Sequence, residues 1–164
     1  MPAYQLAQLN IATLKAPLDS PILVDFVANL DPINALAEAS PGFVWRLQTP
    51  AGDATALRPL GEDVIVNMSV WEDVAALNAF TYRGDHVQIM RRRREWFHHM
   101  ELFMVLWWVP AGHEPTEQEA IERLEHLRAH GPTPEAFTFR RAFPPPDQAP
   151  VAELPALGDA CPAL

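Results

Sequence analysis

The ten residues 91–100, RRRREWFHHM, hold four guanidinium groups, two aromatic rings and two imidazoles. Such a set suits a nucleic-acid grip, a metal site or one wall of a ligand pocket. On a helix, Arg91 shares a face with Arg94 and with Glu95, while Arg92 and Arg93 point elsewhere. Four consecutive arginines therefore do not converge on one ligand. Arg91 is the one expected to turn inward; the others are expected on a solvated face or beside some of the 21 acidic residues. His98 and His99 are adjacent and diverge on either helix or strand. His126 and His130 stand four apart, as a helical metal pair does, but no third ligand is placed beside them. No metal is expected.

A second chemical grouping lies on DVIVNMSVW, residues 63–71, the clearest strand of the chain. Strand alternation puts Asn67, Ser69 and Trp71 on one face. His86 follows a predicted helix break, and an imidazole there titrates near neutral pH, as a proton shuttle must. Other chemistries lack their residues: there is no G-x-G-x-x-G, no P-loop and no G-x-S-x-G. The single cysteine, Cys161, rules out an internal disulfide and a cysteine-based zinc site.

The elements that must position these groups read as follows. YQLAQLNI (4–11) is a strand. A helix starts after Ser20 with Pro21 at its first position and carries a stripe of Val24, Val27, Leu30 and Asn34. Pro32 is expected to kink or split it. FVWRLQT (43–49) alternates, so Phe43, Trp45 and Leu47 face one way and Val44, Arg46 and Gln48 the other. After the strand at 63–71, a helical stretch runs from Glu72 to about Phe97, with a break expected at Arg83-Gly84-Asp85. ELFMVLWWVP (101–110) is apolar on both faces, the pattern of a strand buried on both sides. Glu114–His130 is a helix capped by Thr116 with Glu119 completing a capping box, and AFTFRRAF (136–143) is a last strand.

The order is β-α-β-β-α-β with a helix and strand added, a ferredoxin-like split βαβ of the α+β class. Four antiparallel strands have two faces, and the helices cover one. The other is expected to meet a second copy, giving a homodimer that forms a dimeric α/β barrel. Residues 1–146 form this domain, and 147–164 form a proline- and alanine-rich tail. With 12 Lys+Arg against 21 Asp+Glu, the net charge is -9, which argues against nucleic acid as a partner. No window is long and apolar enough for a membrane, and the N-terminus does not read as a signal peptide, so a cytoplasmic location is expected.

The stretch IVNMSVWEDVAALNAFTYRGDHVQIMRRRREWF resembles the second half of antibiotic-biosynthesis monooxygenase-like, dimeric α/β barrel proteins. DPINALAEASPGFVWRLQ, NMSVWED, RRRREWF, LWWVPAGH and HGPTPEAFTFR together resemble an uncharacterised domain-of-unknown-function branch of that superfamily, over residues 4–146. Cofactor-free oxygenases that turn phenolic polyketides into quinones are similar around V-N-x-x-x-W-E. That resemblance implies catalytic roles for Asn67, Trp71 and Arg91, with no cofactor. Leu77 stands where that group has a tyrosine, and Tyr82, Tyr4 or His86 would take its place. By this reading Asn67 and Trp71 donate to an anionic oxygen, Arg91 lowers its pKa and His86 moves the proton. Tyr82, Trp107, Arg46 and Ser69 are candidate substrate contacts.

Each group also has a structural reading: Asn67 satisfying a neighbouring backbone, Trp71 closing the core, His86 in a turn, Tyr82 and Trp107 as packing. The expected function is that of a small-molecule enzyme acting on an electron-rich aromatic or enolic compound. The alternatives are a non-catalytic small-molecule binding protein using the same pocket, a haem-binding or haem-degrading relative, and a dimeric structural protein.

Overall fold

The computed structural model describes residues 2–82, 86–100 and 102–148. The elements run β1 (Tyr4–Thr13), a 3-10 turn (Pro21–Leu23), α1 (Val24–Glu38), β2 (Phe43–Arg46), β3 (Val64–Trp71), α2 (Val74–Tyr82), α3 (His86–Arg91), α4 (Arg93–Trp96), β4 (Met104–Pro110) and α5 (Glu117–His130). The strands pair antiparallel in one sheet of order β2-β3-β1-β4. This α+β arrangement is consistent with the ferredoxin-like plan, with α5 added after it. No helix among the described residues is long and apolar enough to cross a membrane.

The two sheet faces follow from register. On the first, Leu6, Gln8, Asn10 and Ala12 of β1 stand beside Trp71, Ser69, Asn67 and Ile65 of β3. On the second, Ala7, Leu9 and Ile11 stand beside Val70, Met68 and Val66, with Trp107 and Val105 of β4 flanking. The centre of the second face is apolar and packs on Ala120, Leu124 and Leu127, one stripe of α5. Leu47, Leu57 and Leu60 of the β2–β3 connection pack against the same cluster. The surface that the sequence left for a second copy is thus covered by α5 of the same chain, because α5 is itself amphipathic and close enough to β4 to fold back.

The first face carries two separate apolar clusters. One gathers Leu6, Trp71, Leu77, Leu106, Phe137 and Phe139; the other gathers Ala12, Leu23, Phe26, Ile65, Trp96 and Phe97. Burying each such large side chain contributes roughly 1.5–3 kcal/mol. Between the clusters, Gln8, Asn10 and Ser69 are buried polar residues.

Several local expectations change. In α1 the buried stripe includes Phe26, Ile33 and Ala37, and it continues from Leu23 in the preceding turn. Val24 and Val27 are exposed instead. Pro32 lies inside a continuous α1. It has no N–H to give the Ala28 carbonyl one turn earlier, but both residues are exposed, so water can serve that carbonyl. The stretch after Glu72 divides into three short helices, and Arg83, Gly84 and Asp85 lie outside the described residues. The strand expected at 136–143 reduces to two isolated antiparallel bridges, Phe137 to Leu106 and Ala136 to Thr133. Ala136 belongs to the second face while Phe137 and Phe139 bury on the first, the alternation of an extended segment. This segment wraps the β4 edge and covers it. The tail from residue 149 onward lies outside the described residues.

Thr116 caps α5 by accepting from the Glu119 amide at 3.1 Å. The expected reciprocal arm is absent, because the Glu119 carboxylate reaches the sheet: it accepts from Trp107 Nε1 at 3.0 Å and pairs with His113 Nε2 at 2.7 Å. Partial burial pushes the Glu119 carboxyl up. The bonds from His113 and Trp107, with the charges of His113 and Arg123, outweigh that and hold it below its ordinary value of 4.5. A carboxylate with a depressed folded pKa stabilises the fold above its unfolded pKa and loses that contribution as pH falls through the folded one. Glu119→Gln is therefore expected to cost about 1 kcal/mol at neutral pH, measured by urea denaturation. The gap between variant and wild type should close as pH falls below 4.5.

Gly42, in the turn from α1 to β2, has φ +83, and a Cβ there would meet the Ala76 Cβ at 2.5 Å. Gly112 has φ +86 with nothing within 4 Å. Gly112→Ala should cost only the roughly 1 kcal/mol of left-handed backbone, whereas Gly42→Ala should cost about 2 kcal/mol or more, since the α2 backbone must also shift. Denaturation midpoints at unchanged m-value test both.

Candidate functional site

The polar row on the first face is built by strand register. Asn10 stands opposite Asn67 and Gln8 opposite Ser69, so two alternating polar positions of β1 meet two of β3. Gln8 Nε2 donates to Asn67 Oδ1 at 2.7 Å and to Ser69 Oγ at 2.9 Å. Ser69 Oγ also accepts from Trp71 Nε1 at 2.8 Å. Two buried atoms of the row have no partner among the described residues: Gln8 Oε1, an acceptor, and Asn10 Nδ2, a donor. A buried unpaired amide atom costs about 1–3 kcal/mol, so such pairs mark places where water or a ligand completes the network. Trp96 Nε1 is also unpaired, but it lies in the second apolar cluster beside Phe26.

At the Asn67 end of the row is a narrow, partly open recess lined by Phe26, Asn34, Arg46, Asp53, Thr55 and Asn67, among others; Asn67 is the seam residue that reaches it. Its volume is about 20 Å³, room for about one water. The β2–β3 connection, residues 47–63, forms part of its wall. That segment has no helix or strand of its own, and connections beyond roughly 12–15 residues of that kind are usually functional. It is locally ordered all the same: Asp53 Oδ1 accepts from Thr55 N at 2.8 Å and from Thr55 Oγ1 at 2.6 Å. Arg46 latches it, donating from Nη1 to the Gly52 carbonyl at 2.8 Å and from Nε to Glu38 at 2.7 Å, with its side chain only 12% exposed.

Arg46 reaches this place through an irregularity. Phe43 pairs with Trp71, but Trp45 pairs with Val70 and Arg46 with Ser69, so a bulge lies between Phe43 and Trp45. The expected alternation is corrected accordingly. Phe43 and Arg46 share the first face, while Trp45 and Leu47 pack into the second-face cluster.

Of the residues singled out in the sequence, Asn67, Ser69, Trp71 and Arg46 come together. Trp71 is 1% exposed, boxed by Phe43 edge-on and by Phe80 stacked at 5.1 Å, and its N–H is already given to Ser69. Tyr82 packs near it, edge-on to Phe139. Trp107 does not join them: opposite Ala7 in the register, it stands on the second face and bonds to Glu119. Arg91 does not join them either. The helix it was read on is interrupted at Arg92, and Arg91 ends α3 exposed to solvent. His86 begins α3, and its side chain lies outside the described residues. Gln8, Asn10, Asn34, Asp53 and Thr55 were not singled out; the first two carried a legible signal, polar side chains two apart in an otherwise apolar strand.

A larger cleft of about 380 Å³ lies on the far side of Phe80, lined by Leu36, Ser40, Gly42, Glu72 and Ala76, among others. Phe80 separates it from Trp71 by stacking on the indole. His126 pairs with Thr133 and Glu135, and no group of three potential metal ligands comes together among the described residues.

These features define a small α+β protein with helices on both faces of one antiparallel sheet and a buried polar seam on one of them. The chain belongs to the family described as a domain of unknown function, DUF3291, which matches residues 5–153. A solved structure, a protein of unknown function from Nitrosomonas europaea, is similar at 17% identity over 70% of this chain and 95% of that one, with a TM-score of 0.43. No curated protein matches.

Because Ser69 Oγ serves two buried donors, Ser69→Ala strands both the Gln8 amide and the Trp71 indole. The expected loss is about 1–3 kcal/mol, read from urea denaturation, with a red-shifted tryptophan emission as the seam admits water.

Proposed function

We propose that this chain is a small-molecule binding protein whose ligand completes the polar seam beneath the 47–63 connection. The observation that carries this reading is the complementary pair of unpaired buried amide atoms, Gln8 Oε1 and Asn10 Nδ2. A ligand with a hydroxyl beside a carbonyl or phenolate oxygen would donate to the first and accept from the second. The recess at Asn67 is narrow, with room for about one water, so a ligand of aromatic size that reaches from it to Gln8 and Asn10 requires the connection to swing out and the Arg46–Gly52 bond to break. Arg46 is then a positioning residue that sets how readily the recess opens.

In its catalytic form the reading is cofactor-free oxygenation, supported by the motif resemblance to antibiotic-biosynthesis monooxygenase-like proteins and by Asn67 and Trp71 standing on one face. A phenol-flanked CH₂ would lose a proton, react with O₂, and become C=O as the second oxygen atom leaves as water. The seam would favour the anionic form through Asn67 and Asn10. Trp71 and Arg91 do not serve as donors in this version, since one N–H is committed and the other group is in solvent. A second copy is not required; a dimeric barrel stacked on the second face would need α5 to leave it. A cytoplasmic setting is proposed from the single cysteine alone.

The test uses 1,8-dihydroxyanthrone, with O₂ consumption and the quinone absorbance followed together. Binding should raise Tm by about 5–10 °C at a hundredfold excess over Kd, and the rise should vanish in Asn10→Leu. A Tm rise without oxygen uptake leaves a binding protein and ends the oxygenase form. No Tm rise, with only water bridging Gln8 and Asn10 in a high-resolution crystal structure grown with the compound, overturns the reading.

A further inference from the structure

The arginine run finds a role away from the seam. Lys15, Arg93, Arg94, residues 97–100 and Phe103 line an open groove of about 640 Å³ that shares no lining residue with the recess. Its floor is apolar: Phe97, Met100 and Phe103. Its walls carry Lys15, Arg93 and Arg94, together with His98 and His99. None of the described residues lining it is acidic, although the chain as a whole has 21 acidic residues and a net charge of -9.

The positive charge here is unneutralised, in contrast to the neighbouring position. Arg92 is bound to Glu95 at 2.8 Å and to Asp25 at 2.7 Å, and its guanidinium covers Trp96. Among the described residues, no carboxylate pairs with Lys15, Arg93 or Arg94. Arg93 lies over the Phe103 ring at 4.9 Å, which brings its charge to the apolar floor. A fixed cation at hydrocarbon is poorly hydrated, and an anion placed there gains more than it would in bulk water.

The groove is also built before any ligand arrives. Lys15 N donates to the Trp96 carbonyl at 2.9 Å, and His98 N donates to the Thr13 carbonyl at 2.9 Å. Ile11 N donates to the Phe103 carbonyl at 2.8 Å, and Arg128 Nη2 holds the Leu102 carbonyl at 3.0 Å. The Lys15 ammonium reaches the Arg94 carbonyl, and Thr13 Oγ1 holds Met100 Sδ at 3.5 Å. The backbone of both walls and the floor is therefore pinned to β1, to Lys15 just beyond it and to α5, so binding need not order it.

The geometry points to a second ligand site, a groove for a small aromatic carboxylate, its ring on Phe97, Met100 and Phe103 and its carboxylate between Arg93 and Arg94. The volume lies in the roughly 300–1,000 Å³ range of small-molecule sites. A nucleic acid is excluded by the acidic remainder of the surface, which repels an extended polyanion but acts weakly on one charge beyond a Debye length of about 10 Å.

The test is isothermal titration of the full chain with 1-naphthoate, 1-naphthamide and inorganic phosphate at low salt. Saturable naphthoate binding should be at least about tenfold tighter than binding of the neutral amide or of phosphate. Arg93→Gln and Arg94→Gln should each weaken it by about tenfold, and Arg92→Gln should leave it unchanged. Circular dichroism melts establish that each variant is folded, and Arg93→Lys should recover part of the affinity. Three results overturn the assignment: no saturable naphthoate binding, equal affinity for naphthoate and naphthamide, or folded Arg93→Gln and Arg94→Gln variants that bind as the wild type does. Phosphate binding as tight as naphthoate would overturn the aromatic half of it.

Discussion

Ser69 Oγ accepts from both Gln8 and Trp71 in the middle of a buried sheet face. Much of the arrangement above the sheet depends on that hydroxyl. It ties β3 to β1 through side chains as well as through the ladder, and it fixes the plane of the Trp71 indole. The indole in turn supports Phe43 and Phe80, and so sets how α2 lies. Buried polar groups are tolerated only when satisfied, and a partly satisfied network is costly. The unpaired Gln8 and Asn10 atoms are the part of this network that the described residues leave unsatisfied.

The sheet is two-sided in chemistry as well as in geometry. One face is apolar at its centre and sealed by α5; the other is divided by the polar seam into two apolar clusters. Glu119 joins the layers on the sealed side, taking the Trp107 N–H that would otherwise be unpaired in the core. The 47–63 connection spans both sides: its leucines pack on the sealed face, while Asp53 and Thr55 line the recess and Arg46 holds the segment at the Gly52 carbonyl.

The arginine run divides by partner. Arg92 is consumed by Asp25 and Glu95, Arg91 is left to solvent, and Arg93 and Arg94 flank a groove. Adjacent residues in short, interrupted helices point in different directions, so four like charges in a row become three distinct environments. An acidic chain can thereby hold a local basic site without becoming a binder of polyanions.

Four of the five expected strands were legible in the sequence to within a few residues, because alternation and β-branched runs are local signals: 63–71 became Val64–Trp71 and 101–110 became Met104–Pro110, whereas 136–143 kept only isolated bridges. The Thr116 cap and the shared face of Asn67, Ser69 and Trp71 were legible for the same reason. The polar pair Gln8 and Asn10 was visible in YQLAQLNI, yet its meaning was not, since only the β1–β3 register shows that they meet Ser69 and Asn67. The choice between Arg46 and Arg91 turned on one bulged residue in β2 and one break at Arg92. Neither leaves a mark in hydrophobic periodicity. Periodicity determined where β1, β3 and β4 run and which side of β3 carries Asn67, Ser69 and Trp71; the tertiary structure decided the sides along β2 and what lies across each strand, because register, bulges and the return of α5 onto the sheet depend on contacts far apart in the chain.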